Sequence, residues 1–401
     1  MLVDIETSGA TGLIPSSKLP TIGTTIFTVM SQLAAEQDAI NLSQGFPDFA
    51  VPEALIEMLA HYLRAGYNQY PPMTGVPYLR EQIAVKSQRL YGAQIDSDTE
   101  VTVTSGATEA LHVAIQTVVH PGDEVIVFDP AYDSYEPAVT LCQGLTRHIP
   151  LLAPDFAIDW QRLRDTINPR TRMVILNSPH NPTGSVVGED DLAQLAELLR
   201  GTGIYLLADE VYEHMVFDGA CHASVLGHAE LRERAFVVSS FGKTCHATGW
   251  KVGYCIAPPA LTAEFRKVHQ FVTFTTHTPT QWALAEFIDQ QPEHYLGLSD
   301  FYQAKRDFFL ARMVGSGFSL LPSHGTYFQL ADYSGLSDMP DTEFARFLTV
   351  TTKVAAIPVS VFCALPPAKR LVRFCFAKQD DTLRKAAGRL HQVGAQLHGR
   401  V

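Results

Sequence analysis

The sequence lacks cysteine pairs, an excess of basic residues and any long apolar run. Its six cysteines, at positions 142, 221, 245, 255, 363 and 375, are scattered without C-x-x-C or metal-ligand spacing. This argues against a disulfide framework or a metal centre and favours a reduced, cytoplasmic protein. The formal net charge of -12 argues against nucleic-acid and anionic-membrane partners. No apolar run is long enough to span a bilayer, and no basic segment with an apolar core opens the chain.

The composition is that of a globular protein with a large core. Of the 401 residues, 46% are hydrophobic and 18% are charged, so we expect two domains and small-molecule ligands. Residues 1–20 are rich in Ser, Thr, Gly and Pro, which predicts a mobile arm. After Pro292, strands and helices are more evenly mixed, which indicates a second, smaller α/β domain.

Short apolar runs alternate with helical stretches from about Pro52 onwards. The predicted strands are residues 101–104, 124–128, 173–176, 204–208, 235–239 and 252–257. An apolar stripe at helical spacing lies between the first two, from Ala107 to Val118. The pattern predicts an α/β fold with a mainly parallel sheet between helices.

Polar segments follow five of these strands, at residues 105–108, 129–135, 177–184, 209–212 and 240–251. In an open α/β sheet, ligands bind beyond the carboxyl ends of the strands, so we expect these segments to converge. Lys243 is the most informative residue, because an amine that is partly desolvated loses its proton more readily and can form a Schiff base. The alternative for a single lysine is a solvated loop residue.

The other segments offer groups that suit a phosphorylated aromatic ligand. Residues 105–108 open a helix, whose free N–H groups and hydroxyls can hold a phosphate, although an ordinary serine cap is an equal alternative. Tyr132 can stack on a flat ring, or can simply pack beside a turn. The Asn181 amide can bind a ring hydroxyl. Asp209 suits a protonated ring nitrogen, with an ion pair to arginine as the structural alternative.

Together these groups match pyridoxal 5'-phosphate. The chain resembles the fold-type I, class I/II pyridoxal-phosphate-dependent aminotransferases from about Asn41 to the last helix. Three motifs bring it nearest to the methionine, glutamine and kynurenine branch: NLSQGFPD at 41–48, TGWKVG at 248–253 and VRFCF at 372–376. The resemblance implies a large cofactor-binding domain at residues 51–290. It also implies a small domain built from both chain ends, residues 21–50 and 291–401.

The resemblance also implies a role for each site residue. Lys243 would carry the cofactor as a Schiff base and then move the substrate proton. Asp209 would keep the ring nitrogen protonated, Asn181 and Tyr212 would hold the ring hydroxyl, and Tyr132 would stack on the ring. The phosphate would be bound by Gly106, Ala107, Thr108, Ser240, Lys251 and, from the partner subunit of a homodimer, Tyr70. Arg373 would take the substrate carboxylate, helped by Gly45 and Asn181.

The expected activity is ping-pong transfer of an amino group from a neutral L-amino acid to a 2-oxo acid. Aromatic residues at family pocket positions, Phe27 and Tyr70 with Phe274 and Phe362, favour methionine, aromatic amino acids or glutamine. Core packing is an equal alternative for Phe274 and Phe362.

Two other functions stay open. A pyridoxal-phosphate-dependent cysteine-conjugate β-lyase shares the fold and the lysine. A non-catalytic sensing module needs a DNA-binding segment that the short, weakly basic N-terminus does not supply. A Cys245-His246 nucleophile is disfavoured, because adjacent side chains on a short turn diverge.

Overall fold

The computed structural model describes residues 16–365, 367 and 369–398. Most of the predicted arm, residues 1–15, lies outside the described residues. Within the part of the chain that is described, no helix has the length and apolar character needed to cross a membrane.

Helices and strands alternate along most of the chain. The helices are α1 (Ile26–Glu36), α2 (Glu53–Arg64), α3 (Pro77–Tyr91), α4 (Gly106–Val118), α5 (Tyr135–Leu141), α6 (Trp160–Thr166), α7 (Glu189–Leu199), α8 (Ala229–Arg232), α9 (Phe241–Thr244), α10 (Pro259–Val272), α11 (Thr278–Gln290), α12 (Pro292–Leu296), α13 (Leu298–Met313), α14 (Asp341–Phe347), α15 (Asp380–Leu390) and α16 (Val393–His398). The strands are β1 (Ile40–Asn41), β2 (Val101–Thr104), β3 (Glu124–Asp129), β4 (Leu145–Pro150), β5 (Thr171–Asn177), β6 (Tyr205–Asp209), β7 (Ala235–Ser240), β8 (Gly253–Ile256), β9 (Ser319–Leu320), β10 (Phe328–Asp332), β11 (Val354–Ala355), β12 (Ile357–Pro358) and β13 (Leu371–Cys375).

A seven-stranded sheet forms the centre of the molecule, in the order β2-β8-β7-β6-β5-β3-β4. All neighbouring strands are parallel except β8, which is antiparallel to both β2 and β7. The predicted α/β fold with a mainly parallel sheet is therefore confirmed, and each of the six predicted strands is present to within two residues at either end. The sheet contains β4 as an additional edge strand.

Burial explains why these segments form strands and why helices cover them. Every residue of β2, β3, β7 and β8 is buried, as expected for strands that are covered on both faces. Helix α4 packs its apolar stripe against the sheet, with Ala110, Leu111, Ala114 and Ile115 almost completely buried. The stripe fixes the rotation of α4 about its axis. Its N-terminus lies at the carboxyl end of β2, because a single residue, Ser105, joins the strand to the helix.

A smaller four-stranded antiparallel sheet follows, in the order β12-β13-β10-β9. The short strand β1 pairs in parallel with β11, with Ile40 opposite Val354 and Asn41 opposite Ala355. This pairing joins a segment near the start of the chain to its last third.

The topology brings the polar segments together. Because β2 and β7 are both antiparallel to β8, the carboxyl ends of β2, β3, β5, β6 and β7 all lie at one edge of the large sheet. Each of the five predicted polar segments follows one of these ends, so the fold places them beside one another.

Candidate active site

A cavity of about 260 Å³ opens at this edge of the large sheet, facing the small sheet. Its wall includes every residue that the sequence predicted for the site except the aromatic residues Tyr70, Phe274 and Phe362. The predicted residues in the wall are Phe27, Gly45, Gly106, Ala107, Thr108, Tyr132, Asn181, Asp209, Tyr212, Ser240, Lys243, Lys251 and Arg373. The cavity is large enough for a small phosphorylated ring together with part of a substrate.

Lys243 lies in the four-residue helix α9, directly after β7. Its Nζ donates to the hydroxyl of Tyr327 at 2.9 Å and to the carbonyl oxygen of Gly45 at 3.3 Å. Burial, together with the positive charges of Arg373 and Lys251, lowers the pKa of Lys243 to about 8 against the opposing effects of Cys375 and Asp209. A substantial fraction of the amine is therefore unprotonated near neutral pH, which makes it a usable nucleophile and base.

Asp209 ends strand β6 and is 3% exposed. Its Oδ2 accepts from the Tyr135 hydroxyl at 2.6 Å, and its Oδ1 accepts from the Val211 backbone N–H at 3.4 Å. Burial raises the pKa of Asp209 to about 6, although both hydrogen bonds oppose this rise. Among the described residues, no arginine is paired with it. The carboxylate therefore has room for a cationic partner inside the cavity.

A cup for an anion forms at the N-terminus of α4. Gly106 has φ +78°, and a Cβ on it would lie 3.3 Å from both Cε and Nζ of Lys251. The close packing explains the glycine, since an L side chain would be strained there and would crowd the lysine. The first N–H groups of a helix have no partner within the helix and carry partial positive charge. With Lys251 and the Ser240 hydroxyl on the same wall, the cup is suited to a phosphate.

Arg373 crosses from β13 into the cavity wall and is 1% exposed. It donates from one guanidinium nitrogen to Asn181 Oδ1 at 2.7 Å and from another to the Ser43 carbonyl at 2.8 Å, and it stacks 3.8 Å from the Phe328 ring centroid. Its Nε is buried and has no hydrogen-bond partner within the described part of the chain. The contact with Asn181 uses the amide oxygen, which leaves the amide nitrogen as a donor for a ligand oxygen.

Two tyrosines, Tyr132 and Tyr212, also line the cavity. Burial raises the pKa of Tyr132 to about 12 and raises the pKa of Tyr212 further still, so both phenols stay protonated at neutral pH. Tyr132 packs edge-on against Tyr135, with ring centroids 5.6 Å apart. Tyr212 likewise packs edge-on against Tyr327, at 5.1 Å.

Three predicted aromatic residues do not line the cavity. Tyr70 is 83% exposed and contacts Phe274 edge-on, with centroids 5.5 Å apart. Phe274 is also exposed, so within this chain it does not join the cavity wall. Phe362 is buried behind Phe27, with centroids 5.7 Å apart, and its ring lies 5.8 Å from the Arg373 guanidinium carbon.

The Cys245-His246 alternative is not supported by the geometry. Cys245 is fully buried, and burial raises the pKa of its thiol to about 12. Burial lowers the pKa of His246 to about 4, and its ring Nδ1 lies 3.0 Å from the hydroxyl of Tyr302. The two side chains therefore do not form a nucleophile and base pair. His180 is buried, with its Nδ1 2.8 Å from the Thr183 hydroxyl.

Sequence reasoning missed several residues of the site. Tyr327 accepts a hydrogen bond from Nζ of Lys243, and Tyr135 donates one to Asp209. The side chains of Phe46 and Phe328 add apolar surface to the cavity. Tyr135 lies inside a predicted polar segment, so its position after β3 was a usable signal, whereas Tyr327 has no local signal.

Comparison with known proteins identifies the family. The model for "Aminotransferase class I and II" matches residues 37–390. The chain belongs to this family of aminotransferases. It is an enzyme that uses pyridoxal 5'-phosphate to move amino groups between amino acids and oxo acids. The cavity fits that cofactor on its own evidence, because it combines an anion cup, a carboxylate without a cationic partner and an amine of lowered pKa.

Several relatives cover almost the whole chain. A methionine aminotransferase of Escherichia coli is 55% identical over 381 residues, which are 95% of this chain and 99% of that protein. A rat kynurenine–oxoglutarate transaminase 3 is 36% identical over 89% of this chain and 86% of its own length.

Two solved structures have the same fold along nearly the whole chain. An Escherichia coli structure described as having a methionine aminotransferase function has a TM-score of 0.93 at 56% identity, covering 95% of this chain and 100% of that one. N-succinyldiaminopimelate aminotransferase of Mycobacterium tuberculosis has a TM-score of 0.91 at 40% identity, with the same coverage.

Proposed function

We propose that the enzyme transfers the amino group of a neutral L-amino acid, with methionine, aromatic amino acids or glutamine preferred over aspartate. The observation that carries this proposal is the apolar wall beside Arg373. The ring centroids of Phe27 and Phe328 lie 5.3 and 3.8 Å from the Arg373 guanidinium carbon, and Phe46 and Val211 also line the cavity. An uncharged side chain is favoured there, because a carboxylate would lose its hydration without gaining an ion pair.

The charges around the cavity support the same choice. Among the described residues that form its wall, the cations are Lys243, Lys251 and Arg373. We assign the first to the cofactor aldehyde, the second to the phosphate and the third to the substrate α-carboxylate. No arginine of the described wall is then left for a second carboxylate. The similarity to methionine and kynurenine aminotransferases agrees with this preference.

We assign the remaining site residues from the same geometry. When bound, pyridoxal 5'-phosphate supplies an aldehyde that reacts with amines and a ring that accepts electrons from the substrate. Gly106, Ala107, Thr108 and Ser240 hold its phosphate with Lys251, as the cup at the start of α4 suggests. Asp209 holds the proton of the ring nitrogen, and burial of that ion pair strengthens it.

Asn181 and Tyr212 orient the ring hydroxyl, and Tyr132 lies against the ring face. Arg373 and Asn181 hold the substrate carboxylate, together with the backbone at Gly45, and so fix the substrate Cα. Lys243 would hold the cofactor aldehyde through its amine until the substrate amine takes its place, and would then move a proton between the substrate Cα and the cofactor carbon. Its lowered pKa suits this work, because the amine must both accept and return a proton near neutral pH.

The proposal is tested by half-reactions with single amino acids. Purified enzyme is mixed in turn with methionine, phenylalanine, glutamine and aspartate without an acceptor, and the cofactor spectrum is followed. We expect aspartate to be the slowest donor. Aspartate as the fastest donor would refute the substrate assignment, and pyruvate with ammonia from a cysteine conjugate would show β-lyase chemistry instead.

Borohydride treatment tests the role of Lys243 directly. Reduction of the wild-type holoenzyme followed by peptide mass spectrometry should label position 243. Lys243→Ala should show no label and no turnover, while Lys251→Arg, which keeps a cation in the cup, should still be labelled at Lys243. A labelled peptide elsewhere, or turnover by Lys243→Ala, would show that the assignment is wrong.

We further propose a homodimer in which Tyr70 reaches the cavity of the partner subunit and contacts the cofactor phosphate. Tyr70 is 83% exposed and is not among the described residues that line the cavity of its own chain, which supports this. Phe271 is 87% exposed on the C-terminal part of α10, near Phe274, and would be covered by a second copy.

Two broader assignments are also proposed. A cytoplasmic location fits the six cysteines, which are all free thiols. The proposed division into a large domain (51–290) and a small domain (21–50 and 291–401) fits the confinement of each main sheet to one of these regions. Preferential cleavage close to residues 50 and 290 in limited proteolysis would support the boundaries.

A further inference from the structure

Tyr327 lies immediately before β10 and reaches the nitrogen of Lys243 from behind the cavity wall. The lysine Nζ donates to the Tyr327 hydroxyl at 2.9 Å, and that hydroxyl donates to the Gly45 carbonyl oxygen at 2.5 Å. The same carbonyl lies 3.3 Å from the lysine Nζ. The three groups come from distant parts of the chain, so the tertiary fold alone brings them together.

The direction of these bonds is determined by the single proton of the phenol. Burial raises the pKa of Tyr327 well above its ordinary value, and the neighbouring Tyr212 and Cys375 act in the same direction. The hydroxyl therefore keeps its proton. Because that proton is donated to Gly45, the Tyr327 oxygen can only accept from Lys243.

Two acceptors determine how the amine is oriented. A neutral amine has two N–H bonds and one lone pair. When Tyr327 and the Gly45 carbonyl take the two N–H bonds, the lone pair is left for the remaining direction, which is the open cavity. The amine is then held as a base or nucleophile aimed at the ligand instead of rotating freely.

We propose that Tyr327 is a catalytic residue that, with the Gly45 carbonyl, forms a cradle for the amine of Lys243 and directs its lone pair into the cavity. The proposal rests on the role of Lys243 proposed above.

The cradle is rigid. The Tyr327 side chain is fully buried, and its ring packs against Phe328, Tyr212 and Tyr302 with centroids 4.9, 5.1 and 5.7 Å away. Gly45 is equally constrained, because a Cβ there would lie only 2.7 Å from Cζ of Phe328. The missing side chain lets the backbone come close enough for its carbonyl to meet both Tyr327 and Lys243.

The test uses the cofactor-free protein, because the cradle is a property of the chain itself. The rate of acetylation of Lys243 by acetic anhydride is measured against pH by peptide mass spectrometry, which gives the midpoint of the amine titration. The charged and titratable groups around this amine are Asp209 from β6, Arg373 and Cys375 from β13, and Lys251 and Tyr212 from the loops. Each of them is unchanged in the variants.

Tyr327→Phe should move the midpoint downwards by about one pH unit, or about ten-fold in proton affinity, because an acceptor for the ammonium is lost. Tyr302→Phe is the matched control. It removes the phenolic oxygen of a buried tyrosine that packs on Tyr327 but whose hydroxyl faces His246. This control should leave the midpoint unchanged. A Tyr327→Phe midpoint that does not move, or that rises as it would in a loosened and hydrated site, would overturn the proposal.

Ligand binding supplies a second readout. At a pH above both midpoints, where Lys243 is unprotonated in wild type and variant alike, Tyr327→Phe should capture pyridoxal 5'-phosphate covalently about ten-fold more slowly, because the lone pair is no longer aimed. Pyridoxamine 5'-phosphate, which has no aldehyde, should bind with unchanged affinity. Equal losses with both ligands would indicate a general defect of the site and would contradict the cradle.

The outcomes separate this inference from the proposed function. If the wild-type protein is not labelled at Lys243 by the cofactor and borohydride, the proposed function fails. If the wild type is labelled and Tyr327→Phe behaves like it in both assays, only the cradle fails. Should Tyr327→Phe not fold, as judged by circular dichroism, 3-fluorotyrosine at position 327 keeps the packing while weakening the oxygen as an acceptor. It should lower the midpoint as well, and an unchanged midpoint would refute the cradle.

Discussion

Tyr135 donates its hydroxyl to Asp209 over 2.6 Å beneath the floor of the cavity. The bond joins the segment after β3 to the end of β6. It provides the carboxylate with one strong donor, yet burial still raises the pKa of Asp209 to about 6 from an ordinary 3.8. Without a bound cation, the buried carboxylate of Asp209 is therefore only partly stabilised.

The raised pKa of Asp209 predicts that the free energy of unfolding of the cofactor-free enzyme falls as the pH rises. Because the folded pKa is raised, folding favours protonated Asp209, so its contribution to stability is complete below about pH 4 and is lost as the pH rises through 6. The loss is about 3 kcal/mol, from a shift of about two units. Asp209→Asn should therefore gain about 2.5 kcal/mol relative to wild type between pH 4 and pH 7.5, because a small part of the loss has already occurred at pH 4. Urea unfolding of both proteins at the two pH values measures this gain.

Asp96 provides a control of opposite sign. Backbone N–H groups of Asp98 and Thr99 lower its pKa, so its contribution to stability is present at neutral pH and is lost as the pH falls. Asp96→Asn should therefore lose stability relative to wild type as the pH rises. A stability difference between Asp209→Asn and wild type that is the same at both pH values would show that Asp209 is not a strained carboxylate.

The anion cup at the start of α4 makes a prediction about the cofactor phosphate. Lys251→Ala should weaken pyridoxal 5'-phosphate binding about 10- to 100-fold, because a charge-assisted hydrogen bond is lost. Binding of pyridoxal, which has no phosphate, should change little. Equilibrium titrations followed by absorbance give both affinities, and Lys251→Arg should retain most of the phosphate affinity. Equal losses for the two ligands would place Lys251 outside the phosphate site.

Arg373 makes a separate prediction about the substrate carboxylate. Arg373→Lys replaces a planar guanidinium, which can bind a carboxylate through two N–H groups, by a single ammonium. This variant should reduce the rate of the half-reaction with methionine about 10- to 100-fold. The amine 3-(methylthio)propylamine has the same side chain but no carboxylate, so its slower reaction should be unaffected. Single-turnover rates with both donors measure the difference. A similar loss with both would mean that Arg373 supports the fold of the site without binding the carboxylate.

The sequence was sufficient to predict the large sheet and the polar segments at its carboxyl edge. Strands such as β2 and β7 are continuous apolar runs, and the residues that follow them are turn formers with functional side chains. Strand β4 was not predicted, because only Ile149 is buried in it and the rest of this edge strand gives a weak apolar pattern. Local pattern therefore locates buried strands and fails at a partly exposed edge.

The residues from the small sheet show which contacts the local sequence pattern does not predict. Tyr327 is 84 positions from Lys243 and lies in a segment whose pattern predicts only a strand. Its contact with the amine depends on how the two sheets face each other, which no local spacing encodes. Arg373 was predicted only through the resemblance to a family. Its own strand, β13, is a buried apolar run in which Arg373 is the one charged residue, and that pattern alone does not indicate a function.

The proposed dimer predicts that two impaired variants recover activity when they are mixed, a result that requires sites shared between subunits. If each cavity uses Lys243 of one subunit and Tyr70 of the other, Lys243→Ala and Tyr70→Ala proteins should each be impaired alone. In a hybrid dimer, the Tyr70→Ala subunit provides an intact Lys243 and the Lys243→Ala subunit provides an intact Tyr70, so one of the two sites is restored. With random exchange about half of the dimers are hybrids, and activity should recover to about one quarter of the wild-type value.

The matched control mixes Lys243→Ala with Asp209→Ala. Both residues line the cavity of their own chain, so every site of the hybrid keeps one defect and no activity should return. Subunit exchange is verified by native mass spectrometry, so that a negative result is not caused by failed mixing. Recovery in the control, or none with Tyr70→Ala despite verified exchange, would mean that Tyr70 does not act across the interface.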